Sequence, residues 1–250
     1  MPIYEPDHVE FSVTSGHIQI AMEDGSLLPA YWSHPDVGSM FPGVAIIHDW
    51  WGLTPMVRRI AHLFAQMGHY VITPDLFNGQ IATTPQAAMR LVESLGTQGY
   101  PFIHNALAAL EDHHLCNRSV AAVGLGMGGS LAYEAAITRA DLEVAIVYGG
   151  FVDRYLGHLK DCRTVICAFY GLAEPYVKTE EIDKLRQELA ESTHGLAHEV
   201  HVVEGLGHDF FSESFTPEQR DKSRAVLKHT FEFLDHHLQR PTLFRNRHPF

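Results

Sequence analysis

Residues 119–136 read SVAAVGLGMGGSLAYEAA. An apolar run typical of a buried strand ends in a turn rich in glycine, and a helical pattern begins directly after it. This order matches the motif G-x-S-x-G, whose central residue carries an attacking oxygen or sulfur on a sharp strand-to-helix turn. Here the frame is residues 124–128, and its central residue is Gly126, which has no side chain.

The rest of the chain alternates strand and helix patterns. Residues 9–33 alternate apolar and polar around a turn at 23–26, which predicts an antiparallel hairpin or meander. After this segment the predicted strands alternate with predicted helices, and the apolar runs suit strands buried on both faces. This alternation favours a mostly parallel sheet covered on both faces. The predicted strands are 44–48, 70–74, 120–123, 143–148, 164–169 and 199–203, and the predicted helices are 55–67, 84–114 with a break near 96–101, the segment after the glycine turn, 179–191 and 217–239. The fold class predicted is therefore a three-layer α/β fold with antiparallel N-terminal strands.

The chain contains no internal repeat, low-complexity segment or linker, so we predict that residues 1–250 form a single domain. The tail from Pro241 to Phe250 is predicted either to be loose or to form an arm onto a second subunit. A homodimer is accordingly one expected assembly.

Composition and charge narrow the classes of function. The chain is 46% apolar and 19% charged, with a formal net charge of -12. This charge argues against nucleic acid and acidic membrane surfaces as partners, and it favours a small-molecule ligand that is not strongly anionic. Cys116, Cys162 and Cys167 have no paired or metal-type spacing. With no leader pattern and no apolar run of membrane-spanning length, the expected compartment is the cytoplasm.

Five segments, in matching order, resemble the dienelactone hydrolase family of α/β-hydrolases over nearly the whole chain. They are residues 47–53 (IHDWWGL, family H-E-x-x-G-L), 73–77 (TPDLF), 124–129 (GLGMGG, family G-x-C-x-G-G), 171–177 (GLAEPYV, family G-x-x-D-x-x-V) and 204–210 (EGLGHDF, family G-x-x-H-x-F). The resemblance implies an α/β-hydrolase fold and hydrolysis of a small ester or lactone, with neither a cofactor nor a metal.

The order of residues supports an acid–histidine pair in its own right. Glu174 and His208 each follow a predicted strand and lie in loops with glycine or proline. Loops at the carboxyl ends of parallel strands share one crevice, and the turn at Gly126 lies there too. We therefore predict that His208 acts as a general base and that Glu174 holds its tautomer.

Departures from the family pattern affect both mechanism and substrate. Gly126 replaces the Cys or Ser nucleophile, Asp49 replaces the Glu beside it, and Glu174 replaces Asp. The family's dienelactone enzymes also hold the substrate carboxylate with arginines after the D-L-[FY] stretch and after the histidine. Neither arginine is present in residues 78–80 or 209–213, so dienelactone is not the expected substrate.

The oxyanion site needs no side chain. We predict that it consists of the backbone N–H groups of Met127 and Trp50. A surrounding pocket is predicted whose lining includes Asp49, Trp50, Trp51, Tyr148 and Phe210, although core packing explains aromatic residues equally well. Ser130 and Cys167 are weak substitutes for the nucleophile, because the first should point away from the crevice and the second lies in an apolar strand.

Two functions remain open for such a site. In one, His208 activates water directly; in the other, an inactive homologue binds a small ligand or serves as an assembly subunit. The spacing Gly124-x-Gly126-x-x-Gly129 also fits a dinucleotide fingerprint, but no acid ends the next strand. A metal site built from His48, Asp49, His208 and Asp209 is disfavoured, because neighbouring residues in an HD dipeptide point in different directions.

Overall fold

The computed structural model describes residues 11–243 and is organised around one mixed sheet. The order of its strands is β1-β2-β4-β3-β5-β6-β7-β8, and a short β9 pairs with the beginning of β3. Their bounds are β1 Val13–Ala21, β2 Leu27–Pro35, β3 Ser39–Ile47, β4 Tyr70–Pro74, β5 Cys116–Leu125, β6 Val144–Tyr148, β7 Val165–Gly171, β8 Glu199–Val203 and β9 Thr242–Leu243.

Strand direction divides the sheet in two. The strands β1, β2 and β4 pair antiparallel, with Val13 opposite Pro35 and Ala21 opposite Leu27 in the N-terminal hairpin. From β4 through β3 to β8 every neighbouring pair is parallel. The predicted fold class, with antiparallel N-terminal strands on a parallel sheet, is confirmed.

Helices cover both faces, which explains why the central strands are continuously apolar. Their bounds are α1 Pro55–Gln66, α2 Pro85–Leu95, α3 Gly99–Asp112, α4 Met127–Thr138, α5 Thr179–Ala190 and α6 Pro217–His237. One core lies between the sheet and α1 with α6, where the rings of Phe64 and Phe231 have centroids 4.8 Å apart. The other core lies under α3, α4 and α5.

Capping residues mark the N-termini of α1 and α6. Thr54 Oγ1 accepts from the Val57 amide, and Thr216 forms a capping box with Gln219. The two short 3-10 helices, Asp153–Tyr155 and Leu159–Asp161, were not predicted from the sequence.

The strand order reverses at β3, since the chain passes from β3 to β4 on one side and from β4 to β5 on the other. Ligands of open α/β sheets bind at such a switch point, outside the carboxyl ends of the strands. Here that crevice lies between the loop after β3, which carries Asp49 and Trp50, and the turn after β5 at Gly126.

The two ends of the chain are described only in part. Thr242 and Leu243 pair antiparallel with Met40 and Ser39, whereas residues 244–250 of the predicted loose tail lie outside the described residues. The assignment of residues 1–250 to a single domain stays a prediction. None of the helices within residues 11–243 combines the length and apolar character that crossing a bilayer requires.

Candidate active site

Glu174 and His208 are brought together by the ends of β7 and β8. His208 Nδ1 donates a hydrogen bond to Glu174 Oε2 at 2.8 Å. The other carboxylate oxygen accepts from the Tyr176 amide at 2.8 Å, so the acid is held at both oxygens. The side chain of Glu174 is 2% exposed and that of His208 is 19% exposed. This arrangement fixes the proton on Nδ1 and leaves Nε2 of His208 free to accept one.

Gly126 begins α4 in a conformation that suits glycine, with φ 51° and ψ -114°. Its amide donates to the Tyr148 carbonyl at 2.8 Å, which continues the pairing of β5 with β6. A Cβ placed on Gly126 would lie 3.0 Å from His208 Nε2 and 3.5 Å from Asp49 Cβ. The position that would hold a nucleophile is therefore aimed at the imidazole.

Close contact between α4 and β3 requires a second glycine. A Cβ on Gly128 would lie 2.2 Å from the Ile47 carbonyl oxygen and 2.7 Å from that of His48. No side chain fits there, so the N-terminus of α4 lies directly against the loop after β3. Met127 and Trp50 border one cavity beside this contact.

Both of these amides are available for a ligand. Met127 is the first residue of α4, where backbone N–H groups have no intrahelical partner. Within residues 11–243, neither the Met127 nor the Trp50 amide makes a hydrogen bond. Free N–H groups at a helix N-terminus favour an anion or a developing oxyanion.

The environment of Asp49 shifts the pKa of its carboxyl group. Burial, with a smaller contribution from the nearby Asp209 carboxylate, raises the pKa of Asp49 to about 6. The Trp51 amide, which donates to Asp49 Oδ1 at 2.8 Å, and the nearby His208 oppose this rise. Asp49 is thus a carboxyl that exchanges protons near neutral pH beside the imidazole.

Two cavities of different character meet at His208 and Trp50. One, of about 390 Å³, contains Gly126 and is bordered by charged side chains, namely Asp49, Arg59, Asp209 and Glu213. The other, of about 530 Å³, is bordered mainly by apolar and aromatic side chains from α2, α3, α4 and the following loops, including Val92, Leu95, Tyr100, Leu131, Phe151 and Tyr176.

The predicted aromatic residues differ in how far they reach this site. Trp50 and Trp51 border the polar cavity and contact each other edge to face, with centroids 5.3 Å apart. Tyr148 and Phe210 border the same cavity but are only 1% and 2% exposed. The hydroxyl of Tyr148 pairs with Thr230 Oγ1 at 2.6 Å, which directs it toward α6.

The alternative sites weighed from the sequence are not assembled. Both ring nitrogens of the fully buried His48 are occupied, since Nδ1 donates to the Asp49 carbonyl at 2.7 Å and Nε2 accepts from the Leu76 amide at 3.1 Å. His48 is therefore not free to bind a metal with Asp49, His208 and Asp209. The carboxylate of Asp49 beside Gly126 likewise opposes a dinucleotide pyrophosphate.

The two substitute nucleophiles lie in different surroundings. Ser130 borders the apolar cavity rather than pointing away from it, and its Oγ accepts from the Phe151 amide at 3.0 Å. Cys167 is fully buried beneath α6, as predicted for a core thiol.

Sequence reasoning missed a group of metal-type side chains on the α6 face of the sheet, formed by Cys167, Glu199, His201 and His229. The alternation of Glu199 and His201 on one face of β8 is a signal that could have found it. The apolar cavity was also missed, since much of its wall comes from α2 and α3, which carry none of the motifs.

Comparison with known proteins gives one consistent result. A family model described as the dienelactone hydrolase family matches residues 28–238. The chain is 26% identical to a carboxymethylenebutenolidase from Rhodococcus opacus over 78% of this chain and 81% of that protein. It is 24% identical to protein usf from Aquifex pyrophilus over 76% of this chain and 85% of that protein.

A solved structure shows the same fold. The dienelactone hydrolase-like promiscuous phosphotriesterase from metagenomic libraries superposes with a TM-score of 0.74 at 17% identity, covering 89% of this chain and 98% of that chain.

Proposed function

This chain belongs to the dienelactone hydrolase family, and from that membership we propose that it hydrolyses a small ester or lactone without a covalent intermediate. The observation that carries the proposal is the alignment of three groups. Glu174 holds the His208 ring, and Nε2 of that ring faces the empty position at Gly126.

In the proposed mechanism His208 Nε2 removes a proton from a water molecule in the crevice. The hydroxide oxygen bonds to the substrate carbonyl carbon, and the carbonyl oxygen receives the electron pair as an oxyanion. The Met127 and Trp50 amides stabilise that charge. As the intermediate collapses, the C–O bond to the leaving alcohol breaks and the imidazolium returns its proton to that oxygen. Glu174 stabilises the imidazolium throughout.

Asp49 fits this mechanism as a neighbour that changes charge near neutral pH. When ionised it favours the imidazolium, and when protonated its O–H can donate a hydrogen bond to water. We assign it to positioning the water, because a Cβ at position 126 would lie 3.5 Å from Asp49 Cβ.

The two cavities suggest how a substrate would be oriented. The apolar cavity suits an alkyl or aryl group. In the polar cavity Arg59 pairs with Glu213, and the remaining acids Asp49 and Asp209 disfavour a second carboxylate. A net charge of -12 and the missing family arginines point the same way. We therefore propose an uncharged or weakly charged ester or lactone with an apolar group.

The alternative is a catalytically inactive homologue that binds a small ligand or serves in an assembly. The contact of 3.0 Å between a Cβ at position 126 and His208 Nε2 favours it, because the imidazole lies closer to the turn than a side chain there would normally allow. This alternative predicts ligand binding without turnover.

The experiment that separates the two is hydrolysis of a series of nitrophenyl esters and simple lactones by wild type and His208→Ala. The proposal expects turnover that falls by about 10²–10⁴ in the variant, the usual value of general base catalysis. Equal rates for both proteins, or no turnover of any member, would favour the inactive homologue. For the compartment we retain the cytoplasm as a proposal, together with the homodimer.

A further inference from the structure

A second cluster of chemically reactive side chains lies away from the crevice, on the face of the sheet covered by α6. Cys167 on β7 pairs in register with Glu199 on β8. His201 follows two residues later on the same face of β8, and His229 reaches the cluster from α6. One potential ligand atom from each of the four residues lies within 4.8 Å of all the others.

Hydrogen bonds already converge on one oxygen of this cluster. Glu199 Oε2 accepts from His201 Nε2 at 2.7 Å and from His229 Nε2 at 2.6 Å. The carboxylate of Glu199 is thus oriented between the two imidazoles.

The fourth member of the cluster is the thiol of Cys167 on β7. Cys167 is fully buried, and its Sγ makes no hydrogen bond to any residue in the described part of the chain. The histidine side chains are 38% and 36% exposed, so an ion could enter from solvent. Phe169 contacts both rings, stacked on His201 at 5.1 Å and edge-on to His229 at 5.9 Å, which limits their orientations.

We propose that Cys167, Glu199, His201 and His229 form a binding site for a divalent transition metal, with Zn²⁺ as the best match. One thiolate, two imidazoles and one carboxylate are all ligand types that Zn²⁺ accepts, and four protein ligands are typical of a structural site. The soft sulfur ligand disfavours Ca²⁺ and Mg²⁺, as does the single carboxylate that residues 11–243 bring to this cluster.

Metal binding requires the thiol to lose its proton and each imidazole to change its tautomer. Cys167 releases its thiol proton to solvent, and each imidazole keeps one proton by moving it from Nε2 to Nδ1. With Zn–S and Zn–N bonds of about 2.3 and 2.0 Å, neighbouring ligand atoms of a tetrahedral site lie roughly 3.3–3.7 Å apart. Glu199 Oε2 must therefore move away from the two histidine Nε2 atoms, now at 2.7 and 2.6 Å, whereas any pair of ligand atoms near the 4.8 Å limit must approach. Rotation of the partly exposed histidines can supply that movement.

The proposed metal site lies on the two elements that flank the segment carrying His208. Residues 204–216, which carry His208, connect the end of β8 to the start of α6. An ion held by Glu199 and His201 on β8 and by His229 on α6 would fix the two elements that flank this segment. The metal would thus act in structure rather than in the hydrolytic reaction.

The test is titration of the full chain, first treated with EDTA and dialysed, with Zn²⁺ by calorimetry and with Co²⁺ by absorption spectroscopy. We expect one equivalent to bind, with tetrahedral Co²⁺ bands and a thiolate-to-Co²⁺ charge-transfer band in the near ultraviolet. His229→Ala should weaken binding by at least about 100-fold, since even outer partners of a metal ligand contribute 10- to 100-fold. Cys167→Ala should remove the charge-transfer band.

His236→Ala, a substitution at an exposed position on the same helix, is the matched control and should bind as wild type does. Glu199→Gln provides a second ligand variant if Cys167→Ala does not fold, and it should also weaken binding. The proposal is overturned if no stoichiometric binding is seen, if wild type shows no charge-transfer band, or if His229→Ala and His236→Ala bind equally.

Discussion

Gly126 and His208 are related as a nucleophile and its base would be, although one of them has no side chain. A Cβ on Gly126 would lie 3.0 Å from His208 Nε2, and the N-terminus of α4 begins at the next residue. The turn is therefore aimed at the imidazole, which lies closer to it than a side chain there would normally allow. Hydrolysis by water requires this relationship, because the water must lie between Gly126 and the imidazole.

Restoring a side chain at this turn should restore covalent chemistry. Gly126→Ser or Gly126→Cys should form an acyl-enzyme with nitrophenyl acetate, because His208 can accept the proton and the Met127 and Trp50 amides can hold the oxyanion. The imidazole must move by a few tenths of an ångström to admit the new Cβ. A burst of nitrophenol in stopped-flow kinetics measures the outcome.

Gly126→Ala is the matched control for this substitution. A positive φ disfavours any Cβ, so all three variants should lose about 1–3 kcal/mol in the free energy of unfolding. Only the Ser and Cys variants should show a burst. If they fold and still fail to acylate, the imidazole or the oxyanion site is displaced, and a binding role is favoured.

Glu174→Gln should reduce hydrolysis by about 10²–10⁴, because an amide neither fixes the Nδ1 proton nor stabilises the imidazolium. Steady-state kinetics should show the loss in kcat with little change in KM. The control is Glu204→Gln, at an exposed position in the loop that carries His208. A Glu174→Gln enzyme as active as this control would remove Glu174 from the mechanism.

Asp49 should make stability depend on pH. Its pKa is raised to about 6 in the folded protein, so between about pH 4 and 6 the folded state binds a proton that the unfolded state does not. The free energy of unfolding should therefore fall as pH rises through this window. At pH 7 the penalty is at most about 3 kcal/mol, from a shift of about two pKa units.

Asp49→Asn should recover about 1–3 kcal/mol at pH 7 and nothing below pH 4, as measured by urea unfolding at each pH. Asp209→Asn, at a more exposed position, should change stability by less than about 0.5 kcal/mol. Equal stabilisation at both pH values would show that Asp49 titrates normally.

The apolar cavity should determine which acyl groups are accepted. Val92→Trp places a large ring in this cavity and should raise KM for octanoyl esters while leaving acetyl esters unchanged. Met89→Trp, on the same helix but outside the cavity and 54% exposed, should leave both unchanged. A Val92→Trp enzyme with unaltered chain-length preference would place the apolar group elsewhere.

Local sequence patterns predicted the site residues that lie directly after the ends of strands. Gly126 and Glu174 follow the buried strands β5 and β7, and His208 follows the partly exposed edge strand β8. Parallel topology alone brings residues at such strand ends to one crevice. Sequence could not show that the Tyr148 hydroxyl turns toward Thr230, because side-chain direction at the end of a strand depends on α6.

Contacts between elements distant in the chain were the ones missed. His229 lies 28 residues beyond His201, and only the packing of α6 on β8 brings their rings to one carboxylate. The walls of the apolar cavity likewise come from the packing of α2 and α3 against the loop after β6. No periodicity or motif encodes where these helices lie.

The most direct test of hydrolysis by His208-activated water is the intact mass of wild-type enzyme, quenched in acid during steady turnover of nitrophenyl acetate. We expect the enzyme to retain its unmodified mass while product accumulates, because Gly126 has no atom that can be acylated. An added acetyl group on the enzyme, formed and lost at the rate of turnover, would contradict it.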